Sequence, residues 1–373
     1  MTTMRIGVPK EIKIHEYRVG LTPMSVQELI TRGHEVLVET HAGDGCGFSD
    51  DAYRLVGAHI VDSAAEVFER AALVVKVKEP QLGECAMLSE GQTLFTYLHL
   101  AADAAQADAL IKSGATAIAY ETVTDDKGGL PLLTPMSEIA GRMSAQVGAH
   151  FLQKAEGGAG VLLGGLPGVP RGRVTILGGG VAGTNAALIA VGLGSDVTII
   201  ERSIPRMRAL EDEFDNRVRT IYSTQAAIEE HVHNADLVIG AVLIPGAAAP
   251  KLLTRDMVRE MGRGSVMVDI AIDQGGCFET SKPTSHAEPT YVVDGVIHYC
   301  VTNMPGAVAR TSALGLNNAT LPFTQQLADK GAEKAMADDP HLARGLNVYK
   351  GTVAHEAVAH DLGYDFTPHK AVA

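Results

Sequence analysis

Between Arg5 and Val123 the chain alternates short, β-branched apolar runs with stretches whose apolar residues recur at helical spacing. The runs are RIGV, EVLVE, HIV, LVVKVK, TLFTYL and TAIAYETV. Runs this short and this continuously apolar suit strands buried on both faces, and the stretches between them are long enough for helical crossovers. The pattern predicts a largely parallel sheet with helices on either side.

A break follows at DDKGGLPLLTP, where Gly128, Gly129 and Pro131 mark a turn and Thr134-Pro135 reads as an N-cap followed by a first-turn proline. A helix from about Ser137 to Ala155 is expected to carry the chain into a second α/β series, with RVTIL, DVTIIE, ADLVIGAV, SVMVDIA and HYCVTN as strands. After Pro305 the sequence turns helical, Ala-rich and polar, and no further strand series is expected. That tail is read as returning to the first domain. The expected architecture is two doubly wound, Rossmann-like parallel-sheet domains with an active-site cleft between them. One domain is discontinuous, residues 1–131 and 310–373, and the other is continuous, residues 132–309.

Composition narrows the function. A chain of 373 residues with 46% apolar and 20% charged residues fits two folded domains and not a disordered chain. The net charge of -13 argues against nucleic acid or an anionic membrane as partner. Cys46, Cys85, Cys277 and Cys300 lack metal or disulfide spacing, which suits a reducing compartment. The start, MTTMRIGVPKE, lacks the order of a signal peptide, so the expectation is a soluble, cytoplasmic protein. The uncharged stretch Val174–Ser195 has the length of a membrane span, but its glycines fit a buried strand–turn–helix better.

That stretch carries the clearest motif. Gly178, Gly180 and Gly183 have GxGxxG spacing, directly after a strand and opening a helix. The first glycine permits the tight turn, the second lets the backbone approach a pyrophosphate, and the third lets helix and strand pack closely. The N–H groups of the helix start then face the phosphate charge. Roughly twenty residues on, the usual distance for the ribose-binding acid, Glu201 ends the next strand. A carboxylate there favours NAD, whereas the neighbouring Arg202 and Arg206 keep NADP open.

Three polar residues follow strands of the first domain: Arg18, Lys78 and His99. The carboxyl ends of parallel strands are where open α/β sheets place ligands. Arg18 offers a planar fork to a carboxylate, and Lys78 offers a compact cation to a carboxylate or carbonyl oxygen. His99 can exchange a proton near neutral pH, as interconversion of carbonyl, carbinolamine and iminium requires. In the second domain VMVDIAIDQGGCFE carries Asp269 and Asp273, and Asp273, in a glycine-rich loop past a strand, is the candidate second acid or base. On composition alone Arg18 and Lys78 would be surface charges and His99 a half-buried structural histidine; their clustering at strand ends favours the functional reading.

Other patterns fail. His355-Glu356 with His360 has one residue too many for HExxH, so the histidines do not share a helix face, and His231 and His233 read as a solvated helix end. No metal site is expected. Cys46 in GDGCGF has no partner pattern and GxSxG is absent, so covalent catalysis is not indicated.

RIGVPKE, YRVGLTP, VKVKEP, TYLHL, LTPMSEIAGRMS, LGGGVAG, DIAIDQGG and TNMPGAVARTSA, in that order along essentially the whole chain, resemble the alanine dehydrogenases. The resemblance implies NAD-dependent, reversible conversion of L-alanine to pyruvate and ammonium by a homo-oligomer, a hexamer. It implies that Arg18 and Lys78 bind the 2-oxo acid while His99 and Asp273 serve as acid–base groups. The implied cofactor contacts are Met136, Ser137, Gly178, Gly180, Val181, Ala182, Gly183, Glu201, Arg206, Ser223, Asn303 and Met304. Two departures are noted: an aspartate is familiar in some relatives at Glu201, and an alanine at the second glycine of GGGVAG. Two rivals share the fold: the NAD-binding part of a proton-translocating transhydrogenase, and an opine or saccharopine-type dehydrogenase.

Overall fold

A computed structural model describes residues 3–242 and 249–369. The chain divides into two units, Met1–Pro135 with Val308–Ala373, and Met136–Ala307. In unit 1 six strands are parallel: β1 (Arg5–Val8), β2 (Glu35–Glu39), β3 (His59–Val61), β4 (Leu73–Val75), β5 (Thr93–Thr96) and β6 (Thr116–Ala119). They run in the order 3-2-1-4-5-6, so the winding reverses between β1 and β4. Strands β4 and β6 are buried at every position, which is why LVV and TAIA do not alternate apolar with exposed polar residues. The crossover helices begin where Thr22, Ser49, Ser63 and Asp103 cap their first turns with side-chain oxygens. Phe68, Val74, Leu94, Leu110 and Val348 are among the residues packed in one core layer of this unit.

The tail departs from expectation. Residues Ala309–Lys330 form a long helix, but the chain then returns two more strands. Leu346–Tyr349 pairs antiparallel with β6, and Thr352–Val353 pairs antiparallel with Leu346–Tyr349, extending the sheet to eight strands. Their hairpin turns on Lys350-Gly351, both at positive φ. Strands of four and two residues joined without an Asn-Gly or Asp-Gly signal leave little periodicity to read.

Unit 2 repeats the winding with β7 (Arg173–Leu177), β8 (Asp196–Glu201), β9 (Arg219–Tyr222), β10 (Leu237–Gly240), β11 (Val266–Asp269), β12 (Thr290–Val293) and β13 (Val296–Tyr299). The sheet order is β12-β13-β11-β10-β7-β8-β9, parallel except for β12. Neither β9 nor β12 was among the expected strands. Both are partly exposed edge strands, and β12 joins β13 through Asp294-Gly295 at positive φ. The helix expected from about Ser137 to Ala155 spans Thr134–Phe151. The stretch Val174–Ser195 resolves into β7, a glycine turn and the helix Val181–Gly192, and no helix among the described residues is long and apolar enough to cross a membrane. All four cysteines are free and buried.

Candidate active site

In unit 1, Arg18, Lys78 and His99 lie past the carboxyl ends of β1, β4 and β5, three strands adjacent in the sheet. Arg18 is 2% exposed. Its guanidinium engages Glu16, with Nε 2.6 Å from Oε1 and Nη2 2.5 Å from Oε2. Burial opposes the charge, but the bonds to Glu16 and its carboxylate more than offset this, so Arg18 stays a cation. The sequence reading missed the scaffold beneath it. Lys76 is wholly buried and bonds Glu11 at 3.0 Å and Glu84 at 2.7 Å. Burial works against the ammonium, and the two carboxylates outweigh it, holding its pKa above the ordinary lysine value. Glu11 also accepts the backbone N–H groups of Val77 and Lys78, tying the loop after β1 to the segment that carries Lys78. A lysine inside the apolar run LVVKV was the available signal, because a buried charge must be paired.

His99 adopts a left-handed conformation, φ 50° and ψ 36°. For a non-glycine residue this costs about 1–3 kcal/mol. The Glu121 carboxylate offsets it by accepting the N–H groups of Leu98 at 3.1 Å and His99 at 2.6 Å. His99 Nδ1 lies 4.0 Å from the same carboxylate, and its ring stacks on Tyr97 with centroids 5.8 Å apart. Burial raises the Tyr97 hydroxyl far above its ordinary pKa, so it remains a neutral donor, 2.6 Å from the Leu132 carbonyl. A cation fork, an ammonium and an imidazole thus share one sheet edge, which suits a 2-oxo acid: anionic at one end, with a carbonyl that must be protonated and deprotonated at the other.

In unit 2, Gly178, Ser223, Asp273 and Asn303 lie past the carboxyl ends of parallel strands β7, β9, β11 and β13, and Glu201 is the last residue of β8. The glycine turn fits a dinucleotide. A Cβ on Gly183 would lie 1.8 Å from the Gly178 carbonyl oxygen, and Gly178 itself is at φ +96°. At Gly180 no atom of the described residues lies within 4 Å of a Cβ position, so the backbone there is open on that side among them. Glu201 accepts N–H bonds from Gly179, Arg202 and Ser203. Arg206 donates to the Gly179 carbonyl at 2.7 Å and to Thr184 Oγ1 at 2.5 Å. Gly141, one turn past Met136 and Ser137, has no room for a Cβ against the Ala182 carbonyl, which brings the start of that helix beside the turn. Met304 is buried, and Asn303 is left-handed with its carbonyl accepting from Gly306.

Asp273 sits in the short 3-10 turn Ile270–Gln274 after β11. It is exposed, and among the described residues its carboxylate makes no hydrogen bond. Asp269 is wholly buried and accepts bonds from Ala271 N, Cys277 N and Ser281 Oγ. Burial raises its pKa against those bonds, and its role is structural. The pseudo-motif at His355 dissolves because the helix Glu356–Leu362 begins after His355. Among the described residues no group of three or more His, Cys, Asp or Glu is placed to hold a metal.

Two mainly parallel sheets, each with six parallel strands wound 3-2-1-4-5-6 and one of them carrying a glycine cradle with a carboxylate at the end of the next strand, define a two-domain dinucleotide-binding α/β protein. The comparisons with known proteins narrow that class. Residues 7–140 match the family model "Alanine dehydrogenase/PNT, N-terminal domain" and residues 144–356 match "Alanine dehydrogenase/PNT, C-terminal domain". The chain belongs to the alanine dehydrogenase/PNT family. It is 61% identical over 363 residues to an alanine dehydrogenase of Halomonas elongata, covering 97% of this chain and 98% of that one. A solved structure of an L-alanine dehydrogenase matches with a TM-score of 0.94 at 54% identity, covering 96% of this chain and 99% of that one. A transhydrogenase structure from Sinorhizobium meliloti matches with a TM-score of 0.80 at 25% identity, covering 95% and 99%.

Proposed function

We propose that this chain is an NAD-dependent L-alanine dehydrogenase: L-alanine, NAD and water give pyruvate, ammonium, NADH and a proton, reversibly. The near-full-length identity to alanine dehydrogenases carries the reading. NAD, when bound, would supply the hydride acceptor, and NADH the donor in reverse. Arg18, kept charged by Glu16, takes the substrate carboxylate. Lys78 polarises the carbonyl oxygen, and His99 gives and takes the proton at that oxygen as water leaves or adds. Asp273 is the second acid–base group. Gly178, Gly180 and Gly183 with the helix start from Val181 would hold the pyrophosphate, and Glu201 would bond the adenosine ribose. NAD is favoured over NADP because Glu201 is a carboxylate and Arg206 is engaged by Gly179 and Thr184.

Purified protein with pyruvate, ammonium and NADH is expected to lose the nicotinamide absorbance only when ammonium is present. NADH binding without ammonium-dependent oxidation at any pH from mildly acidic to alkaline would sink the proposal and favour the transhydrogenase-like reading. The chain works in the cytoplasm as a hexamer, and light scattering should give about six times the 39.2 kDa chain mass.

A further inference from the structure

Asp273 has no side-chain partner among the described residues, so its position is set by the backbone of its own turn. That backbone is held from two sides. Inside, buried Asp269 accepts the N–H groups of Ala271 and Cys277, bracketing the turn. Outside, a single ammonium does the converse: Lys251 Nζ lies 2.5 Å from the Gly275 carbonyl oxygen, 2.8 Å from that of Gly276 and 3.2 Å from that of Phe278. A lysine ammonium has three N–H groups, and here they meet three carbonyls of one loop. Gly275 and Gly276 are both left-handed, at φ 87° and 76°, and their N–H groups close back on Ile272 and Ala271. The segment bearing Lys251 is further tied to the loop by Ala249 N to Gln274 O and Leu252 N to Cys277 O.

The two halves of this clasp differ in kind. Asp269 is wholly buried, so removing it leaves buried donors unpaired and threatens the fold. Lys251 is at the surface; of the three carbonyls it holds, that of Gly275 is on an exposed residue and those of Gly276 and Phe278 are on buried ones. Replacing Lys251 removes this side-chain anchor and leaves the backbone ties from Ala249 and Leu252 to the loop in place.

We infer that Lys251 is a positioning residue for Asp273, fixing through three carbonyls the turn that aims the acid–base carboxylate. This rests on the reading of the chain as an alanine dehydrogenase with Asp273 in its chemistry. The placement matters because misplacing a reacting group by about 1 Å can cost up to ~10²-fold in rate.

The test is a double-mutant cycle on the full-length protein, read as kcat for ammonium-dependent pyruvate reduction. Lys251→Met is expected to lower kcat by about ten- to a hundredfold on that scale, with the NADH dissociation constant from fluorescence titration little changed. In an Asp273→Asn background the same change should add no further loss, since the carboxylate it positions is gone. Lys251→Cys should regain activity when 2-bromoethylamine alkylates the new thiol and rebuilds the ammonium; the four native cysteines are buried and should be spared. Should Lys251→Met not fold, Lys251→Gln, which keeps a donor, takes its place in the cycle. Wild-type kcat in the Lys251 variant, losses that multiply with Asp273→Asn, or alkylation without recovery would each overturn the inference. Wild-type kcat in Asp273→Asn alone would overturn it too. Wild-type protein inactive with ammonium would instead remove the functional reading beneath it.

Discussion

The side chains chosen for chemistry are held by others that are not. Glu121 binds the N–H groups of Leu98 and His99 and so supports a left-handed histidine. Glu121→Gln turns an acceptor pair into a half-donor, and kcat is expected to fall at least about tenfold with a loss of roughly 1–3 kcal/mol in stability; rate and denaturant titrations on the same preparation check both. At Arg18 the bidentate fork is the point, so Arg18→Lys should raise the KM for pyruvate by one or two orders of magnitude, roughly the worth of a charge-assisted bidentate bond, while NADH affinity holds. Equal weakening of both ligands would count against a carboxylate role. Lys76→Met leaves Glu11 and Glu84 buried without their cation and should cost about 3–5 kcal/mol; Lys76→Met with Glu84→Gln should cost less, because one buried charge goes with it.

At the level of elements, the glycine turn separates packing from binding. Gly183 touches Gly178, so Gly183→Ala must push the helix Val181–Gly192 away from β7 and is expected to lower the melting temperature as well as NADH affinity. No described residue crowds Gly180, so Gly180→Ala should melt like the wild type and bind NADH worse, since its methyl would stand where the pyrophosphate approaches. If Gly180→Ala bound NADH normally, the turn would not be the phosphate cradle. The element boundaries show how far periodicity reaches. The strands β1, β2, β7 and β8 were legible because successive interior positions are buried on both faces. The edge strand β9 and the short pair after Gly345 were not, because half-exposed or two-residue strands carry no distinctive pattern, whereas β12 left an Asp294-Gly295 hairpin signal that the strand pattern alone passes over.

For the molecule as a whole, buried titratable groups set a pH response. His298 is wholly buried between Thr280 and the Val296 carbonyl, and burial holds its pKa below the ordinary 6.5. The unfolded chain then binds this proton more tightly than the folded one. Its contribution to stability is full above about pH 6.5 and is lost as pH falls through that value toward the folded pKa. His355, also lowered by burial, acts in the same direction. Thermal melts from pH 8 to pH 5 should show a larger fall for wild type than for His298→Gln; parallel curves would exclude the mechanism. Burial also pushes the Cys46 and Cys85 thiols up to about 11 and raises those of Cys277 and Cys300. A thiol reagent should therefore label native protein slowly and report all four cysteines only after denaturation.

The sequence by itself determined two parallel α/β series, the glycine turn, and three polar residues after strands, because strand burial and turn chemistry are local and leave their mark in residue order. Tertiary structure decided what lies beside what. That β1, β4 and β5 are neighbours follows from the crossover winding, and only this puts Arg18, Lys78 and His99 on one sheet edge. The supports came from it as well: Glu16 on Arg18, Glu11 and Glu84 on Lys76, Glu121 under His99, and Lys251 on the loop of Asp273. Some of these partners lie far apart in the chain, and a lone Glu or Lys in a sequence reads as solvated surface until the fold buries it or gives it something to hold.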